Sequence, residues 1–188
     1  MSATETSKRF GQSALATPAN AVTLTRILVA APALLLMHDR GAGWLTVSLW
    51  FAVTTSDSLD GWIARRQGAT RSGAFLDPVA DKMIVLGGMV VMADRGDIWW
   101  WAVGVITLRE LGISLYRSIA GRRGIVMPAL QLGKWKAFAQ YSSIGFVLLP
   151  WTESFVVWQQ IVLCVAVALT VISGAQILQR GYVNWERR

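Results

Sequence analysis

The reading of this chain turns on Asp57-Ser58-Leu59-Asp60-Gly61-Trp62-Ile63-Ala64-Arg65, followed by Gly73-Ala74-Phe75-Leu76-Asp77-Pro78-Val79-Ala80-Asp81. On a helix, Asp57 and Asp60 stand at i and i+3, and Asp77 and Asp81 at i and i+4, so each pair projects from one face. Four carboxylates this close in an apolar chain repel one another unless something positive lies between them. Hard oxygen donors of this kind suit Mg²⁺ or Mn²⁺ far better than zinc or copper. Gly61 leaves room beside the second acid for a substrate to approach the backbone. The plainer alternative is that the acids only cap helix ends.

These residues carry a resemblance. The pattern D-x-x-D-G-x-x-A-R, a gap, then G-x-x-x-D-x-x-x-D resembles the signature of the CDP-alcohol phosphatidyltransferases, with Asp57, Asp60, Gly61, Ala64, Arg65, Gly73, Asp77 and Asp81 at its fixed positions. The gap between Arg65 and Gly73 is one residue shorter than that family's pattern leads one to expect, which bears on the loop and not on the ligands. The resemblance implies a membrane enzyme that takes CDP-diacylglycerol as donor and an alcohol as acceptor, releases CMP, uses two divalent ions and forms a homodimer. It implies Asp57, Asp60 and Asp77 as metal ligands, and Asp81 as both ligand and general base. Asp57, Gly61, Ala64 and Gly73 would lie on the donor's nucleotide, with Arg65 and Arg71 near its phosphates. The stretch Asn20-Ala21-Val22-Thr23-Leu24-Thr25-Arg26 is similar to the opening of the family's first span, which implies that Arg26 faces the active site.

The rest of the chain reads as a membrane protein. It has 188 residues, 54% of them hydrophobic, enough for a single domain over residues 1–188, and its mean hydropathy is positive. Ten Trp against three Tyr suit interfacial belts. The lone Cys164 excludes an intramolecular disulfide and reads as a small buried hydrophobe. A net charge of +7 suggests an anionic partner. The basic residues fall between apolar runs and not along one polar face, so the partner is an anionic membrane and not nucleic acid.

Six spans are expected, in an all-α integral membrane fold with a short N-terminal interfacial helix. Residues 1–18 read as a polar tail carrying that helix. The first span covers 21–37; basic residues before a short apolar core would also suit a signal peptide, but five further spans and no evident cleavage site favour a span. The second span covers about 43–64, followed by a basic loop over 65–72. In the third, ending near Ala93, Pro78 either occupies the first turn or kinks the helix, and Lys82 neutralises the acids or snorkels. His38 is a solvated loop residue. A tight turn at 94–97 leads through Trp99-Trp100-Trp101, an interfacial anchor, to the fourth span at 98–119. The fifth covers 137–149 and ends at Pro150. The sixth, 155–178, is uncharged and reads as packing and lipid contact.

Thirteen Lys and Arg fall on the side of the acids against Arg40 and Arg95 on the other, the remaining three lying within spans. The positive-inside rule therefore places both termini and the active site on the cytoplasmic face of a multi-pass protein of the cell membrane.

The acceptor is the harder question. Arg109 lies within the fourth apolar run, where an unpaired charge is costly and a functional role is the default. Arg117, about 80° further round the helix, could flank the same pocket. Lys134 and Lys136 open the fifth span and can reach the same surface. These four cations would suit a phosphate-bearing alcohol. The segments Leu108-Arg109-Glu110-Leu111 and Leu132-Gly133-Lys134-Trp135-Lys136-Ala137-Phe138-Ala139-Gln140 resemble the bacterial members of the family whose acceptor is glycerol 3-phosphate. Inositol phosphate and phosphatidylglycerol are the competing acceptors. A metal or proton transporter is the alternative of another class, opposed by the clustering of the acids near one interface and by the lack of paired broken helices.

Overall fold

A computed structural model describes the backbone of residues 18–67, 71–123, 131–152 and 154–186, and the side chains of 25, 27–56, 79–121, 123, 131–152 and 154–181. The described residues form six long helices: α1 Pro18–Arg40, α2 Trp44–Gln67, α3 Arg71–Asp94, α4 Trp100–Arg122, α5 Gln131–Leu148 and α6 Val156–Glu186. A short 3₁₀ turn, Pro150–Thr152, precedes α6. The all-α expectation holds for the described residues. The expected N-terminal interfacial helix lies outside them. Contacts group the chain into two compact units, one ending at Val91 and one beginning at Met92.

In the first unit, α1 starts with Pro18, whose fixed φ and missing N–H suit a first helical position. It ends at Gly41, where φ is +67° and the amide donates to the Met37 carbonyl at 3.0 Å, a left-handed stop that glycine adopts without strain. Thr46 locks the following turn, its hydroxyl donating to the carbonyls of Gly41 at 2.7 Å and Gly43 at 2.9 Å. Farther along α2, the polar run Thr54-Thr55-Ser56 does not break the helix. Each hydroxyl donates back to a carbonyl of its own helix, Thr54 to Trp50, Thr55 to Phe51 and Ser56 to Val53. Ala30, Ala33, Leu34 and Met37 of α1, Leu49, Trp50 and Val53 of α2, and Ile84 of α3 line one apolar space. Gly87 matters there, because a Cβ on it would lie 2.9 Å from Leu34 Cδ1.

In the second unit, the chain turns at 94–97, with Gly96 at φ +82° and the Asp97 amide donating to the Met92 carbonyl at 2.9 Å. Arg95 clamps the turn through Asp97 at 2.8 Å. Trp99 precedes α4 in extended conformation and stacks on Trp101, with ring centroids 5.7 Å apart. Ile106 and Ile113 of α4, Ile144 and Leu148 of α5, and Leu163, Ala166 and Ile177 of α6 are buried. At the α5–α6 turn, the Thr152 hydroxyl donates to the Leu149 carbonyl at 2.8 Å and the buried Gln159 side chain donates to the Thr152 carbonyl at 3.0 Å.

Helices run past several expected boundaries. α2 continues through Arg65 to Gln67 and α3 begins at Arg71, so Arg65, Arg66, Arg71 and Gly73 of the expected basic loop and its border are helical. Pro78 is the eighth residue of α3 and not in its first turn. His38 belongs to the last turn of α1, where its ring lies 3.2 Å from the Asp39 carboxylate, exposed as expected. α5 starts at Gln131, which draws Lys134 and Lys136 into its first two turns, and α6 extends to Glu186. Cys164 is exposed on α6, not buried. At the ends of α2 and α6 and the starts of α3 and α5 the helix outruns the apolar pattern, because extending a helix already nucleated and packed adds one backbone bond for each residue fixed.

Candidate active site

The backbone puts positions 57 and 60 on α2 and positions 77 and 81 on α3, each pair within one continuous helix as their spacing requires. Gly61, Ala64 and Arg65 follow on α2, and Arg71 and Gly73 begin α3. The side chains from 57 to 78, and that of Arg26, lie outside the described residues. Asp81 is half-buried, as is Lys82 beside it. No cluster of three or more His, Cys, Asp or Glu side chains occurs among the described residues, and of the four acids only Asp81 has a described side chain. As a donor set, two carboxylate pairs on helices, with no sulfur or imidazole, fit a hard divalent ion.

The cations of α4 and α5 divide into two kinds. Arg117 and Lys134 are exposed. Arg109 and Lys136 are drawn together by Glu110, the acid next to Arg109 in the chain. Arg109 Nη1 donates to Glu110 Oε1 at 3.0 Å, and Lys136 Nζ donates to that same oxygen. The three side chains are only 10–11% exposed. Arg109 therefore has a partner in the apolar run, and Lys136 turns inward and does not reach the surface, since sharing one carboxylate offsets the cost of burying two cations.

α6 completes the arrangement, in addition to its expected role in packing and lipid contact. Arg109 Nε donates to the Thr170 carbonyl at 3.1 Å and Nη2 to the Ser173 hydroxyl at 2.8 Å. The Thr170 hydroxyl accepts from Gln140 Nε2 of α5 at 2.9 Å and donates to the Ala166 carbonyl at 2.6 Å. At Gly174, a Cβ would stand 3.2 Å from both Cγ and Nε of Arg109. The available signal was the polar or small set Thr170, Ser173 and Gly174 at helical spacing in an uncharged run, with Gln140 as the matching polar residue on α5.

Both acid pairs and these cations fall inside residues 16–172, which match the CDP-alcohol phosphatidyltransferases. The chain belongs to the CDP-alcohol phosphatidyltransferase family and is an enzyme of that class. It is similar to the "Probable phosphatidylglycerophosphate synthase" of Mycobacterium tuberculosis, 34% identical over 183 residues that cover 94% of this chain and 87% of the relative. The "CDP-diacylglycerol--glycerol-3-phosphate 3-phosphatidyltransferase" of Haemophilus influenzae is 33% identical over 72% of this chain and 76% of its own. The Bacillus subtilis protein of the same name is 33% identical over 73% and 72%.

Proposed function

We propose that this protein transfers the phosphatidyl group of CDP-diacylglycerol to sn-glycerol 3-phosphate, giving phosphatidylglycerophosphate and CMP. The observation that carries the reading is the pair of acid doublets on successive helices within the family's span, Asp57 and Asp60 on α2 and Asp77 and Asp81 on α3. The acceptor follows from the relatives, three of which are named for phosphatidylglycerophosphate synthesis or for glycerol 3-phosphate.

The four acids would hold two divalent ions, Mg²⁺ or Mn²⁺, which when bound supply positive charge to the donor's diphosphate. Asp81 takes the proton of the acceptor hydroxyl as that oxygen bonds to the phosphorus bearing diacylglycerol, and the bond from that phosphorus to CMP breaks. Gly61, Ala64 and Gly73 leave space for the nucleotide, and Arg65 and Arg71 meet its phosphates. Arg109, Arg117, Lys134 and Lys136 recognise the acceptor's phosphate, the first and last as a pair set by Glu110. Arg26 is a further candidate for contact with the substrates.

The six helices are the spans of a multi-pass protein of the cell membrane, with termini and active site in the cytoplasm. Among the described residues, Val156–Gly181 is the one helix long and apolar enough to cross a bilayer, against the six spans expected from the sequence. Of the other helices, α4 and α5 bury Glu110, Lys136, Gln140 and Ser143 and leave Leu108, Trp135 and Phe138 exposed. Leu108, Leu111 and Leu115 of α4 are 56–76% exposed along one face, as a lipid-facing surface requires. The protein acts as a homodimer, and its mass in detergent checks that.

The deciding experiment supplies radiolabelled glycerol 3-phosphate with and without CDP-diacylglycerol to the purified protein. Label entering lipid only with the donor supports the reading. Label entering with inositol phosphate or phosphatidylglycerol as acceptor, and not with glycerol 3-phosphate, would replace the acceptor and keep the chemistry.

A further inference from the structure

We infer that Ser173 and Gly174 of α6 are positioning residues for the acceptor's phosphate, acting through Arg109. The inference rests on the reading above that Arg109 recognises that phosphate.

A guanidinium has five N–H donors in a rigid plane. In Arg109 one is held by the Thr170 carbonyl, one by Glu110 Oε1 and one by the Ser173 hydroxyl, from three different directions. Among the described residues the other two N–H donors meet no acceptor, which leaves them for an incoming oxyanion in the plane set by the first three. Two of these three fixing partners belong to α6. Gly174 supplies the space, because the Arg109 side chain lies against α6 where a Cβ at 174 would come to 3.2 Å from its Cγ and Nε. Any side chain there pushes Arg109 aside by a few tenths of an ångström without altering a charge. Lys136 is tied to the same oxygen of Glu110, so its position depends on the same fixed point. α6 thus sets where the guanidinium stands, although it carries no charge between Val156 and Leu178.

The test is Gly174→Ala in the full-length protein, with both substrate KM values and thermal stability measured. Alanine is the stronger helix former, so a residue with only a structural role should leave stability equal or higher and the kinetics unchanged. A misplacement of 1 Å can cost about 10²-fold, so a few tenths of an ångström should raise the glycerol 3-phosphate KM by about three- to tenfold, with the CDP-diacylglycerol KM unchanged. Ser173→Ala, which removes one acceptor from Nη2 and adds no bulk, should move the same constant in the same direction. An unchanged acceptor KM in a stable Gly174→Ala protein overturns the inference. If Gly174→Ala is less stable than wild type, the Ser173→Ala value decides in its place. Arg109→Lys is the control, since it keeps the charge and loses the fork. If Arg109→Lys also has the wild-type acceptor KM, Arg109 does not read the phosphate and that underlying reading falls. If only Arg109→Lys is impaired, Arg109 keeps its role and the positioning by α6 is refuted.

Discussion

Glu110 and Lys136, twenty-six residues apart in the chain, form an ion pair in which each side chain is only 10% exposed. Arg109 donates to the same carboxylate oxygen, so one acid on α4 serves a cation of its own helix and one of α5. A buried pair of this kind owes its persistence to the cost of breaking it and not to its net strength.

Removing the shared partner should therefore be severe. Glu110→Ala would leave two buried cations facing one another, and loss of one member of a buried pair costs about 3–5 kcal/mol. Denaturant unfolding in detergent should show a loss of that order. A change below about 1 kcal/mol, the level of a surface pair, would mean that solvent already screens this cluster.

Lys134 is exposed, so its substitution should leave folding intact and report on substrate alone. A charge-assisted hydrogen bond contributes about 1.5–3 kcal/mol, which is about one to two powers of ten in affinity. Lys134→Ala should raise the KM for glycerol 3-phosphate by roughly tenfold and leave that for CDP-diacylglycerol near its wild-type value. A defect confined to the donor would assign Lys134 to the nucleotide's phosphates.

Asp81→Asn keeps the shape of the side chain and removes its basicity. The turnover rate should fall by about 10²- to 10⁴-fold while CDP-diacylglycerol still binds. Titration of the variant with labelled donor separates the roles, since a parallel loss of binding and rate makes Asp81 chiefly a metal ligand.

Chelation provides the test of the acids as a group. Excess chelator should abolish transfer, and Mg²⁺ or Mn²⁺ should restore it, with Asp57→Ala or Asp77→Ala raising the concentration of ion required. Full turnover in chelator would leave the four carboxylates without their proposed purpose.

Gly181 on α6 is a check on packing away from these cations. A Cβ there would lie 2.1 Å from the Tyr116 hydroxyl oxygen, so the phenol must move. Overpacking of this kind costs about 1–3 kcal/mol, and Gly181→Ala should lower stability by that amount. Tyr116→Phe in the same background should recover part of the loss by removing the closest atom.

By itself the sequence determined the helical class, the family and the four acids, because the acid spacing and the long apolar runs are local properties of the chain. Helix periodicity puts 57 with 60 and 77 with 81 whatever surrounds them. The sequence also located Arg109 as an unusual charge in apolar surroundings, whereas Lys136 read as a residue that reaches the membrane surface. Their partners were another matter. That Lys136 turns inward to Glu110, and that Thr170 and Ser173 accept hydrogen bonds from Arg109, depends on contacts across 26 to 64 residues of chain. An uncharged serine or glycine in an apolar helix has no local signature to separate a packing role from a positioning one. Only the tertiary structure shows which groups meet Arg109, because a buried guanidinium must find its acceptors wherever the neighbouring helix places them.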